Sequence, residues 1–149
     1  MPGKKPLPPS YFMGFIVLIV LAHFLVPLVR IINFPWNLSG ILPIILGTWL
    51  NLSADRAFKD ARTTVKPFEE STLLITGGVF RVSRNPMYLG MVLILCGGAI
   101  ISGTLAPFFI VGIFALVMDI RFIRTEEQML EASFGEKWPA YKANVRRWI

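Results

Sequence analysis

Two clusters of polar residues can do chemistry in this chain, and each lies where an apolar run begins or ends. The first is Gly77-Gly78-Val79-Phe80-Arg81-Val82-Ser83-Arg84-Asn85-Pro86-Met87-Tyr88-Leu89-Gly90. Asn85 suits the N-cap of a helix, and Pro86 suits its first position, where the missing N–H would have had no intrahelical partner. Arginines, free amide donors and a tyrosine therefore meet at a helix start, an arrangement able to hold an anion. The second is Arg124-Thr125-Glu126-Glu127, where a later apolar run stops. Arginine grips a carboxylate through two parallel hydrogen bonds, and a carboxylate accepts from ribose hydroxyls or an ammonium. Together the clusters can hold a zwitterionic, sugar-bearing ligand. The same residues also suit an interfacial anchor or a surface ion-pair network, so residue type alone leaves the choice open.

The elements that carry these clusters are apolar. Residues 12–29 contain no charge, and further apolar runs cover 41–52, 87–101 and 105–118. A bilayer crossing takes about 20 apolar residues, with a range near 17–25. The first run meets this unaided, and the others reach it with their flanking residues. The expected architecture is an all-α integral membrane protein forming one domain over 1–149. Four transmembrane helices are expected at about 11–32, 38–54, 86–103 and 105–124. The tail at 125–149 is an amphipathic cytoplasmic helical segment, because its apolar positions recur every three to five residues. The run at 12–29 lacks a signal-peptidase pattern and reads as a retained span.

Charge follows the same plan. With four crossings the N-terminus, the connection at 61–84 and the C-terminal tail share one side, and every lysine and arginine except Arg30 falls there. The positive-inside rule makes that side cytoplasmic, with both termini inside and an inner (plasma) membrane as the expected location. The formal charge of +6 is thus a topology signal and implies no nucleic-acid partner. The connection at 61–84 is long for a segment without secondary-structure signal, a property of functional or disordered loops. Gly90, Gly97, Gly98 and Gly112 allow close approach of the last two helices, although a groove for a lipid chain would use the same residues. Asn51 reads as interhelical glue, His23 as a polar contact between helices, and Cys96 as a small packing residue. One histidine and one cysteine, far apart, build no metal site and no hydrolase triad.

Arg81-x-x-Arg84-Asn85-Pro86-x-Tyr88-x-Gly90 is followed by Glu126-Glu127-x-x-Leu130-x-x-x-Phe134-Gly135-x-x-Trp138-x-x-Tyr141 and by Arg146-Arg147-Trp148. This pattern resembles the isoprenylcysteine carboxyl methyltransferase family, membrane enzymes related to phospholipid N-methyltransferases and, more distantly, to sterol reductases. The resemblance covers residue 61 to the C-terminus, including Ala61-Arg62-Thr63-Thr64-Val65-x-Pro67. It implies S-adenosylmethionine as cofactor, wrapped by Gly78, Val79, Phe80, Arg81, Asn85, Pro86, Tyr88, Glu126 and Glu127 under the C-terminal helix. It further implies that Arg84 and Arg124 grip carboxylates and that Tyr88 lines the methyl-transfer region, these three being the catalytic candidates. Asn85 stands where the family's best-known form has histidine, and it cannot accept a proton as imidazole does. The missing base favours a carboxylate acceptor on a lipophilic substrate that enters from the bilayer. A phospholipid amine, a hydrophobic thiol, or a scaffold or carrier without catalysis are the alternatives.

Overall fold

A computed structural model describes residues 7–61 and 73–149. The lead-in at 1–6 and residues 62–72 of the long connection, including most of the Ala61–Pro67 motif, lie outside the described residues. Helix α1 (Pro8–Leu25) begins on two prolines and ends well short of residue 32. Pro27 is the reason: a residue before proline is driven out of the α region, and Val26 sits at φ −140°, ψ 61°. The chain then runs back along the start of the next hairpin. Ile31 and Ile32 donate to the Gly103 carbonyl at 2.8 and 3.1 Å, and Leu105 donates to Val29 at 3.0 Å. These bonds satisfy backbone groups that an apolar medium would leave unpaired.

A short 3-10 turn, Trp36–Gly40, leads into α2 (Ile41–Asp60), which continues six residues past the expected span into the polar stretch that follows it. Helix α3 (Pro86–Ser102) starts on Pro86 and stops at Gly103, whose φ of 69° closes the helix in the left-handed region. Helix α4 (Ala106–Met118) does not end near residue 124. It passes through a π turn, Asp119–Ile123, directly into α5 (Arg124–Phe134), and α6 (Lys137–Asn144) follows after Gly135. No strand occurs among the described residues, whose only sheet-like contact is a bridge between Arg30 and Thr104.

Three helical stretches are long and apolar enough to cross a membrane: Pro8–Leu25, Trp36–Asp60 and Ala106–Phe134. Helix α3 is apolar but, at 17 residues, shorter. It is nevertheless the centre of the bundle. Tyr88, Met91, Leu95 and Ala99 pack against Val111, Phe114 and Met118 of α4 and against Ile19 of α1. Outward-facing side chains such as Leu42, Ile45, Phe109 and Leu116 are apolar and exposed. Such a surface suits lipid and not water.

The closest helix pair is α2 with α3, and not α3 with α4 as the small residues suggested. Gly40 faces Gly97, and Gly47 faces Gly90; a methyl on any of the four would overlap the carbonyl opposite. Gly112 of α4 has open space where a side chain would begin. Asn51 sits against Gly90 at this seam, its Oδ1 buried without a hydrogen-bond partner among the described residues. His23 makes the expected polar contact, its Nδ1 lying 3.1 Å from the Thr104 hydroxyl.

Candidate functional site

The start of α3, the α4–α5 junction, the first residues of α1 and the polar end of α2 converge at one end of the bundle. They enclose a cavity of about 260 Å³ lined by residues of all four, among them Pro8, Phe58, Arg84, Tyr88, Met91 and Glu126. Asn85, Pro86 and Phe80 also line it. Arg84 and Glu127, 43 residues apart in sequence (127 − 84), touch at 3.1 Å.

The π turn is what aims the two glutamates. One extra residue in a turn advances everything beyond it by about 100° around the helix axis. With that rotation Glu126 faces the cavity and accepts a 2.6 Å hydrogen bond from the Tyr88 hydroxyl. Glu127 faces inward and is buried, with Arg84 on Oε1 and Arg147 on Oε2 at 2.6 Å. The adjacent carboxylates thus have different surroundings: one is open to a ligand, the other is committed to two guanidinium groups.

Arg84 is the least satisfied of these groups. Its side chain is 7% exposed and it gives Nη2 to Glu127. Nε and Nη1 are buried with no hydrogen-bond partner among the described residues. The Trp138 ring lies beneath the guanidinium, 5.6 Å from Cζ to the ring centroid, a stacking that offsets part of the cost of burying the charge. A buried cation with two free donors calls for a second anion.

Other expected members fall elsewhere. Arg124 turns away from the cavity and pairs with Asp119 at 2.9 Å, its side chain 60% exposed. The reason is again the π turn, which brings Asp119 beneath it. Asn85 occupies the N-cap position, but its side chain makes no cap bond; Nδ2 donates instead to the Arg147 carbonyl at 3.1 Å. The backbone at Asn85, φ −128° and ψ 57°, releases its side chain to the C-terminal segment, and Ser83 Oγ accepts the Asn85 N–H at 3.0 Å. Gly78 takes φ 58° to open the 3-10 turn Gly78–Arg81. Val79 and Phe80 are buried there against Leu50 and Ala54 of α2. Gly78, Val79 and Arg81 are not among the cavity's lining residues, and Arg81 lies on a separate cleft beside Lys137.

The C-terminal segment is structural in a way its sequence concealed. After α6 the chain straightens at Val145 and straps the α3 entrance: Arg84 N–H donates to Arg146 O at 3.0 Å, and Ser83 Oγ donates to Arg147 O at 3.3 Å. Arg147 then bridges Glu127 and Asp119, at 2.6 and 3.1 Å. Arg124, Asp119, Arg147, Glu127 and Arg84 therefore form one line of alternating charge running inward from the surface. Sequence offered Arg147 only within the closing Arg146-Arg147-Trp148 motif and gave Asp119 no role in the site, because the signal for each is its place in this line. Trp138, Tyr141 and Val145 form a small core with Leu130 and Phe134. The Tyr141 hydroxyl donates to the Phe80 carbonyl at 2.6 Å, and burial pushes its pKa up to about 12, so it remains a donor throughout the physiological range. No group of three metal-ligating side chains occurs among the described residues.

Most of these elements fall within a match to a known family. The family model for phospholipid methyltransferase matches residues 36–137, from the 3-10 turn before α2 to the start of α6. An uncharacterized protein of Haemophilus influenzae is 40% identical over 63 residues, which are 42% of this chain and 100% of that protein. No solved structure matches the chain. With the matched span containing α2, α3, α4, α5 and both glutamates, the chain is a membrane protein and belongs to the phospholipid methyltransferase family.

Proposed function

We propose that this protein moves a methyl group from S-adenosylmethionine to a carboxylate on a lipophilic acceptor at the cytoplasmic face of a bacterial inner membrane. The reading takes α3 as a fourth crossing and puts both termini inside, in keeping with the positions of the lysines and arginines. The single observation that carries it is Arg84: a buried guanidinium with two nitrogens unpartnered among the described residues, on the wall of a cavity that also holds the Glu126 carboxylate. An amino acid carboxylate satisfies the first group, and ribose hydroxyls or an ammonium satisfy the second. The cavity's 260 Å³ is just under the ~300 Å³ at which ordinary small-molecule pockets begin, so part of so large a cofactor extends into its open mouth.

When bound, S-adenosylmethionine would supply an activated methyl on a positively charged sulfur, which a carboxylate acceptor would take up as a methyl ester while the sulfonium became a neutral thioether. What the protein must add is position. Arg84 would hold one end of the cofactor, and the Glu126–Tyr88 pair would hold another. Phe58, Phe80 and Met91 line the cavity with apolar surface and exclude water. A carboxylate is ionised at neutral pH and needs no base, which suits a mouth without imidazole. A second reading, with a phospholipid amine as acceptor, draws on the description of the family itself. It requires a group to take the ammonium proton, and Glu126 is the carboxylate in place.

Calorimetric titration of the detergent-purified protein with S-adenosylmethionine tests the cofactor. The wild type is expected to saturate, with Glu126→Gln and Arg84→Lys at least about tenfold weaker, or ~1.4 kcal/mol. Absence of saturable heat in folded wild type overturns the reading. Labelled-methyl transfer to palmitate or to phosphatidylethanolamine vesicles then separates the two acceptors.

A further inference from the structure

Arg81 and Arg84 stand one helical turn apart in sequence and have opposite fates. Arg84 is buried and pairs with Glu127 at 3.1 Å. Arg81 is exposed, and its side chain makes no ion pair or hydrogen bond among the described residues. It lines an open cleft of about 570 Å³ between the Gly78–Arg81 turn and α6, whose Lys137 is the second cation on the wall. Lys137 is likewise exposed and unpaired among the described residues. None of the described residues lining the cleft is an aspartate or glutamate, and Leu73, Leu74 and Phe134 give it an apolar side.

Depth selects a lipid over a free anion. Helix α3 has 17 residues, about 26 Å at ~1.5 Å each, against a hydrocarbon core of ~30 Å. Taken as a crossing, it is used up within the core, so the turn that precedes it lies at the level of the phospholipid phosphates. Val79 and Phe80 hold the turn there by packing on Leu50 and Ala54 of α2. Two cations at that level, with apolar side chains beside them, suit a phosphate together with its glycerol and first acyl carbons. The head group must carry net negative charge, because a zwitterionic lipid brings an ammonium that two unpaired cations repel.

The cleft and the cavity at Arg84 are joined through α6. Tyr141 lines the cleft, and its hydroxyl donates to the Phe80 carbonyl at 2.6 Å. The Phe80 side lines the cavity, its ring edge-on to Phe58 with 5.5 Å between centroids. Trp138, next to Lys137 in α6, carries the ring beneath the Arg84 guanidinium. Fixing Lys137 therefore fixes the helix on which Arg84 rests. We propose that an anionic phospholipid binds in this cleft, its phosphate between Arg81 and Lys137, and that it thereby holds α6 against the cavity and tightens cofactor binding. The second half rests on the methyl-transfer reading; the first needs only α3 as a crossing.

The test is native mass spectrometry of the protein released from nanodiscs of mixed phosphatidylcholine and phosphatidylglycerol. The wild type is expected to retain phosphatidylglycerol in preference to phosphatidylcholine. Arg81→Gln and Lys137→Gln should each cut that retention about fivefold, the effect of one cation at an anionic surface. Lys142→Gln, an equal charge change on α6 outside the cleft, should not. Because two substitutions on different elements must agree, misfolding of one does not decide the matter. Equal losses in all three variants mean surface attraction only and overturn the site. Displacement of the retained lipid by inorganic phosphate overturns lipid as the occupant. Calorimetry with S-adenosylmethionine in discs with and without phosphatidylglycerol tests the coupling. The wild type should bind several-fold tighter with the anionic lipid, and Lys137→Gln should lose the difference; equal wild-type affinity in both discs overturns the clamp. A wild type that binds no cofactor in either disc refutes the methyl-transfer reading and the clamp with it, while lipid retention alone decides the cleft.

Discussion

Replacing Arg147 by glutamine removes the middle cation of the alternating line and tests whether the C-terminal strap holds the buried Glu127 in place. Arg147 gives Nη2 to Glu127 at 2.6 Å and Nη1 to Asp119 at 3.1 Å; the glutamate side chain is 9% exposed, the aspartate 14% and the arginine 34%. Breaking a fully buried pair costs about 3–5 kcal/mol. Two features reduce that figure here. Glu127 keeps Arg84, and the arginine end is a third open to solvent, where screening weakens it. A net loss of about 2 kcal/mol is therefore expected, well below the sum for the three charge-assisted hydrogen bonds that Arg147 makes to Glu127 and Asp119. Unfolding by titration with sodium dodecyl sulfate in mixed micelles measures it. A double-mutant cycle with Glu127→Gln should return a coupling of about 1–2 kcal/mol. Costs that add within about 0.5 kcal/mol would show that Arg147 and Glu127 act independently and would refute the line as an energetic unit. Because Glu127 orients Arg84, the single variant should also weaken S-adenosylmethionine binding several-fold, while Arg147→Lys restores part of it.

Deleting Ile120 from the π turn should return α4 and α5 to one α register and rotate both glutamates by about 100°. Cofactor binding should vanish while circular dichroism still reports a helical protein; retained binding would mean the turn has no part in aiming Glu126. Arg124→Ala breaks an exposed pair worth about 0–1 kcal/mol and should leave binding untouched, so a tenfold loss in calorimetry would return Arg124 to the site. For Tyr141 the folded pKa stands above the unfolded value of about 10 and reaches about 12. Its stabilisation is therefore complete below pH 10 and fades as pH rises through about 12. The difference in tyrosinate absorbance between wild type and Tyr141→Phe should show a midpoint near 12, and a midpoint near 10 would contradict the burial described.

The sequence by itself determined the class of this protein. Charge-free runs of bilayer length, with the charges gathered between and after them, are properties of composition along the chain and need no contacts to be read. Pro86 starting α3, Gly103 ending it and the pairing of the two polar clusters were legible for the same reason: local backbone chemistry fixes the first two, and a helical hairpin brings its free ends together. Early termination of α1 followed from Pro27, a local signal whose effect on the preceding residue outweighed the apolar run around it.

Only the tertiary structure decided which charged residues face the cavity. The π turn has no marker in residues 119–123, yet its single extra residue turns Glu126 toward the cavity and Glu127 inward and sends Arg124 to the surface. Arg147 and Asp119 became partners because a strap from the chain's end crosses the start of α3. The glycines were equally mute in sequence: Gly97 and Gly98 are the same residue type in adjacent positions. What distinguishes them is the 100° between neighbours on a helix, which turns one toward the α2 backbone and the other toward open space.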